Sequence, residues 1–86
     1  MQSDTVKKAI HAKIVELAAQ LGNNARNLKN DDEIPASGLL DSAGLMELVL
    51  WFETTYGLTI EEDQITMDNF GTISAMANYL EQHARI

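Results

Sequence analysis

Side chains able to do chemistry are few in this sequence, and they are scattered. His11 and His83 are its only imidazoles, and it has no cysteine. Each histidine falls in a helical segment rich in polar residues, without a second ligand at helical spacing, so no metal set is expected and both should face solvent. The absence of cysteine excludes a disulfide framework and a thiolate metal site. The run Asp31-Asp32-Glu33 lacks the spaced oxygens and central glycine of a calcium loop and reads as a solvated charge run. The serine in Leu39-Leu-Asp-Ser-Ala-Gly44 is not a hydrolase nucleophile, because a nucleophile elbow would need glycine where Leu40 stands and a strand before it. No catalytic constellation remains, and catalysis by this chain alone is not expected.

Asp41 and Ser42 are the residues that keep a chemical question open. Both types are favoured at helix N-termini, and a helix starts here. If Ser42 caps the helix, its hydroxyl accepts a backbone N–H and contributes about 1 kcal/mol. If Asp41 caps instead, with its charge favoured by the helix dipole, Ser42 becomes the first helical residue and its hydroxyl is free. An anion attached to that hydroxyl would sit beside unpaired backbone N–H groups, a usual place for phosphate. Gly44 costs helix stability, less so near the start, and a bare backbone there would let another group approach closely.

The elements that must position this pair follow from periodicity. Val6, Ile10, Ile14, Leu17 and Leu21 form one stripe, with Ser3 or Asp4 as its cap and Gly22 as its stop, and predict a first helix. Residues 22–41 form a long connection in which Ile34, Leu39 and Leu40 should return to the core; connections of that length are often functional. A second helix is predicted from Ser42 to Tyr56, with Leu45, Leu48, Val49, Phe52 and Tyr56 inward and Gly57 as its stop. Leu58-Thr59-Ile60 reads as an extended link, and one or two helical turns are expected within residues 61–71. A last helix from about Thr72 presents Ile73, Met76, Ala77 and Leu80 before a polar tail, Glu81 to Arg85. The predicted fold is all-α: a small bundle of three long helices and one short helix, forming a single domain over residues 1–86.

The outer face of the second helix carries a further signal. Leu50 and Trp51 point well away from the predicted core, with Glu47 and Thr54 between them and Met46 on the flank near Glu53. An outward apolar pair straddling a carboxylate needs a cover. Either another part of the chain covers Trp51, or Met46, Glu47, Leu50, Trp51 and Glu53 dock a basic partner. Thirteen acidic residues against six basic ones give a net charge of −7, which argues against nucleic acid and anionic membranes and towards partners with basic patches. No apolar run approaches the length of a membrane span and no cleavable signal is evident, so a cytoplasmic protein is expected.

The stretch Gly38-Leu-Leu-Asp-Ser-Ala-Gly-Leu-Met-Glu-Leu-Val-Leu-Trp-Phe-Glu-Thr-Thr-Tyr-Gly57 resembles the acyl carrier proteins. In that family an Asp-Ser pair opens the second helix of a four-helix bundle, followed by an amphipathic helix ending in a pattern similar to Glu53-Thr-Thr-Tyr-Gly57. The segment Ile60-Glu61 and Ile65 to Ile73 is similar to the family's third-helix region and fourth-helix start. By this resemblance Ser42 matches the serine that carries 4'-phosphopantetheine, and Asp41 the preceding acid read by the phosphopantetheinyl transferase. Glu47 and Glu53 match acidic positions read by partner enzymes. Ala43 and Gly44 depart from the leucine and acid of many fatty-acid carriers, and the Gly-Gly-x-Ser signature of synthetase-borne peptidyl carriers is missing. The Gly-Leu-Leu-Asp-Ser form is more similar to stand-alone aminoacyl carriers of the D-alanyl type, and to discrete carriers beside adenylating ligases.

What the resemblance implies is transport in lipid or secondary-metabolite biosynthesis. A transferase with Mg2+ and coenzyme A would place the arm on Ser42, making a phosphoprotein. The arm's thiol would hold an acyl or aminoacyl group as a thioester for activating ligases or synthases, with the chain acting as a monomer. Two other readings are weighed: an unmodified carrier-like bundle serving as an adaptor through Trp51, Leu50 and Glu47, and a small hydrolase.

Overall fold

A computed structural model describes residues 2–83 of the chain, with side chains from residue 4 onward. Five α-helices follow one another: α1 (Gln2–Gln20), α2 (Ile34–Ser37), α3 (Ser42–Tyr56), α4 (Met67–Phe70) and α5 (Ile73–His83), with a 3-10 turn over Glu62–Gln64 before α4. No strand occurs among the described residues. The all-α bundle expected from the sequence is present, with three long helices. In place of one short helix there are two single-turn helices and the 3-10 turn.

The long helices meet through the apolar stripes that the periodicity marks. Val6, Ile10, Ile14 and Leu17 of α1 are buried against Leu48, Val49 and Phe52 of α3 and Ile73, Met76, Ala77 and Leu80 of α5. Burying each of these side chains larger than Ala77 contributes roughly 1.5–3 kcal/mol. Aromatic rings tie the later elements to α3: Phe52 meets Phe70 edge-on at 5.9 Å, and Phe70 meets Tyr79 at 4.9 Å. Leu21 does not share the core; it is 45% exposed, because α1 ends at Gln20 and the chain turns away there. Ser3 and Asp4 also lie within α1 rather than before it, since the helix begins at Gln2.

The connection from α1 to α3 is long but pinned. Ile34 is fully buried, Leu40 nearly so, and Leu39 packs at the edge of the core, as their apolar character predicts. Hydrogen bonds fix the backbone between them. Asn23 Nδ2 donates to the Leu39 carbonyl at 2.9 Å, the Ile34 amide to Gly71 O at 2.7 Å, and the Ser74 amide to Asn30 O at 3.0 Å. The connection also contains α2, one turn begun by Ile34-Pro35 and ended by Gly38 at φ 73°, a left-handed position that glycine adopts without strain. A four-residue turn is too short to leave a periodic signal. Gly71 is required by space rather than by φ: a Cβ there would stand 2.5 Å from the Met67 carbonyl oxygen at the tight α4–α5 junction.

The extended link over residues 58–60 packs on the core through Ile60 and Leu58, as expected. Thr72 caps α5, its hydroxyl accepting the Ala75 amide at 2.9 Å. Residues 81–83 of the expected polar tail are the last turn of α5, and Arg85 lies outside the described residues.

Candidate functional site

Leu40, buried, delivers the chain to the start of α3, where Asp41 is extended at φ −88° and ψ −177°. Its Oδ1 accepts the Gly44 amide at 2.7 Å, while its own carbonyl accepts the Leu45 amide at 2.9 Å. Asp41 is therefore the cap. Ser42 is the first helical residue, exposed, and no hydrogen bond engages its hydroxyl among the described residues. The backbone amides of Ser42 and Ala43 are left without an intrahelical partner, as the first turn of any helix requires. An anionic ester on the Ser42 oxygen would lie beside these two amides, at the positive end of the helix dipole.

Gly44 has a different role from the one expected. It is buried, and a Cβ added there would stand 3.2 Å from Asp41 Oδ1 and 3.4 Å from Leu40 Cβ. The missing side chain makes room for the capping carboxylate and for Leu40, not for a group arriving from outside.

Further along α3, Met46, Glu47 and Leu50 reach solvent, with Met46 48% and Leu50 56% exposed. Trp51 does not stand free as the helical wheel suggests. It is half-buried, its ring 6.1 Å from Tyr56 in an edge-on arrangement and 6.5 Å from Phe52. This chain's own aromatic residues supply part of the cover. Glu53 is also drawn inward: its Oε2 accepts the Ile60 amide at 2.7 Å and so closes the end of the extended link. A backbone donor with no strand partner explains the contact, and sequence periodicity does not reveal it. Burial raises the Tyr56 phenol above its usual value near 10.0.

A cavity of about 210 Å³ opens beside this helix. Leu45, Met46 and Val49 of α3 form one wall, and Ile65, Met67 and Phe70 form another. Met46 lies four residues, or roughly 6 Å of helix rise, beyond Ser42. Sequence reasoning missed this space, which two exposed methionines, Met46 and Met67, help to line.

The histidines take no part. His83 is exposed but stacked on Tyr79 at 3.9 Å, with Nδ1 2.9 Å from the Tyr79 carbonyl. His11 departs from the expected solvent-facing role: it is half-buried, with Nε2 2.8 Å from the Ala25 carbonyl, and ties α1 to the loop. Among the described residues no group of three or more His, Asp or Glu side chains is gathered as a metal site. No helix among them is long and apolar enough to cross a membrane.

The model of the family described as "Phosphopantetheine attachment site" matches residues 12–80, from the middle of α1 to near the end of α5. The chain belongs to that family. Its members bind 4'-phosphopantetheine and act as carriers, not as catalysts themselves. They work with phosphopantetheinyl transferases and with synthase or ligase enzymes. No solved structure matches the chain. The exposed serine at the head of α3, with two unpaired amides beside it, is chemically suited to the group that the family carries.

Proposed function

We propose that this phosphopantetheine-attachment-site protein is an acyl carrier, its residues 1–86 forming one carrier domain, and that Ser42 is the attachment residue. The observation that carries the reading is the division of labour at the α3 start. Asp41 closes the first turn through Gly44 at 2.7 Å, which leaves the Ser42 hydroxyl exposed and uncommitted. Ser42 Oγ would form the phosphodiester, with the Ser42 and Ala43 amides facing its charge. When bound, the group supplies a thiol that holds cargo as a thioester. The chain has no thiol of its own to compete with it.

The cavity beside α3 supports an aliphatic acyl cargo over an aminoacyl one. Its walls are nearly all apolar, Thr66 being the one polar side chain, and no charged residue lines it to meet an ammonium group. Met46, Glu47 and Leu50 form the face that an enzyme working at Ser42 must cover, because they occupy the next two turns of the same helix. Trp51 and Glu53 act there indirectly, the first by shaping the edge and the second by holding the link after α3. An adaptor reading is favoured by one observation, the exposure of Leu50 beside Met46, which would also suit a partner that performs no chemistry on the chain.

The test is incubation with coenzyme A and a broad-specificity phosphopantetheinyl transferase, read by intact mass. One added phosphopantetheine is expected. An unchanged mass with several competent transferases overturns the reading. Cargo released from protein isolated in its native state should be an aliphatic acid, and recovery of an amino acid contradicts the cargo assignment.

A further inference from the structure

Lysine and arginine are confined to the ends of the sequence. Residues 1–29 hold five of them against two carboxylates, whereas residues 30–83 hold eleven carboxylates and neither lysine nor arginine. The net charge of −7 therefore conceals a local surplus of positive charge over residues 1–29, which ends at the acidic run Asp31-Asp32-Glu33. Among the described residues one ion pair forms, Lys13 Nζ to Glu16 at 3.2 Å. Lys7, Lys8, Arg26 and Lys29 have no carboxylate at ion-pair distance within that set.

Two of these cations converge on one spot. Lys7, Lys8 and His11 line a hollow of about 130 Å³ together with Asn30 and Asp4, and Lys7 also borders a neighbouring hollow that Asp68 and Glu81 line. The base of the hollow is held in place, since His11 Nε2 meets the Ala25 carbonyl at 2.8 Å and Asn30 O accepts the Ser74 amide at 3.0 Å. The opposite face of α1 is buried against α3 and α5, and α3 buries its own inner face in the same core. The outer faces of α1 and α3 thus look away from each other.

We infer that this cationic face of α1 is a second docking surface, and that its occupant is an acidic segment of a partner protein. Charge complementarity carries the assignment: ammonium groups that form no direct ion pair among the described residues attract carboxylates at short range and steer their approach, Lys8 being the more exposed of the two. An anionic bilayer fits poorly, because the solvent-facing positions of α1 from Asp4 to Gln20 include no large apolar side chain to insert, and the rest of the surface is acidic. Nucleic acid would need more phosphate contacts than this patch can make. An extended acidic segment can place successive carboxylates on Lys7 and Lys8 and run on past Asp4, which a single free phosphate cannot do. A partner held here leaves α3 open, so the carrier can be tethered and worked on at once. The surface itself does not depend on the assignment of Ser42.

The experiment is a titration of the isotope-labelled protein with a short poly-glutamate peptide, followed by amide shifts at about 50 mM and about 300 mM salt. Saturable shifts are expected at Lys7, Lys8, His11 and Asn30 and not along α3, and they should vanish at the higher salt. Lys8→Gln alone should weaken binding several-fold and Lys7→Gln/Lys8→Gln at least roughly tenfold. Arg26→Gln/Lys29→Gln should change it less than about twofold. Absent or unsaturable shifts overturn the inference, as does equal weakening by the Arg26/Lys29 pair. It is also overturned if phosphatidylserine vesicles or a second copy of the chain bind this face more tightly than the peptide does.

Discussion

Asp41 Oδ1 accepts the amide of Gly44 at 2.7 Å, and this bond decides what the neighbouring serine is free to do. Because the acid closes the first turn of α3, the hydroxyl of Ser42 has no structural duty. The two residues look equivalent as caps in a list of propensities; their order along the chain separates them.

Asp41→Ala should therefore lower the unfolding free energy by about 1 kcal/mol, with Asp41→Asn keeping most of it, since asparagine accepts the same bond. Ser42→Ala should change stability by no more than about 0.5 kcal/mol. Urea unfolding of the three variants checks this, and a larger loss at Ser42 than at Asp41 would mean that the serine is the cap.

Gly44 should resist side chains despite its place in a helix. Alanine would ordinarily gain up to about 1 kcal/mol there. Its Cβ would press on Asp41 Oδ1 at 3.2 Å, so the gain should shrink to near zero. Gly44→Asp should be worse by about 1 kcal/mol or more, because a second carboxylate would crowd and repel the capping one. Thermal melts of the two variants give the comparison.

The two glutamates of α3 should separate in the same way. Glu53→Ala removes the acceptor of the Ile60 amide and leaves that donor unmatched, at a cost of about 1–3 kcal/mol. Glu47 is exposed, and Glu47→Ala should cost under about 0.5 kcal/mol of stability. Equal melting temperatures for the two would contradict the assignment of Glu53 to the link.

Tyr56 predicts a loss of stability in alkali. Its phenol is raised by burial, so the unfolded chain releases this proton at lower pH than the folded one. The contribution is fully present below the unfolded value near 10.0 and falls away as pH rises through the higher folded value. Tyr56→Phe should flatten this part of the stability profile above pH 10, which pH-dependent urea titrations can read.

The sequence made the long helices legible because each joins a strong apolar stripe to a stop or cap, as in α3 from Asp41 to Gly57. It also showed that Ile34, Leu39 and Leu40 return to the core. What it concealed is tertiary. Glu53 looks like any outward carboxylate until the chain folds Ile60 back to it, and Trp51 looks free until Tyr56 stands beside it. The role of Gly44 depends on where Leu40 packs, and no spacing rule encodes that. Helix α2 is one turn long, and its only local marks are Pro35 and Gly38. The cavity lies between α3 and residues 65–70, so it belongs to the gap between elements rather than to either.

The central claim is that the Ser42 hydroxyl, freed by Asp41, is the attachment point. The most direct measurement is to load the protein from coenzyme A with a transferase, digest it, and fragment the peptide that spans Gly38 to Tyr56. The phosphopantetheine mass should reside on Ser42, and Ser42→Ala, folded as the parent is, should take up none. Label found on Ser37 or on another hydroxyl, or undiminished loading of Ser42→Ala, would contradict the account.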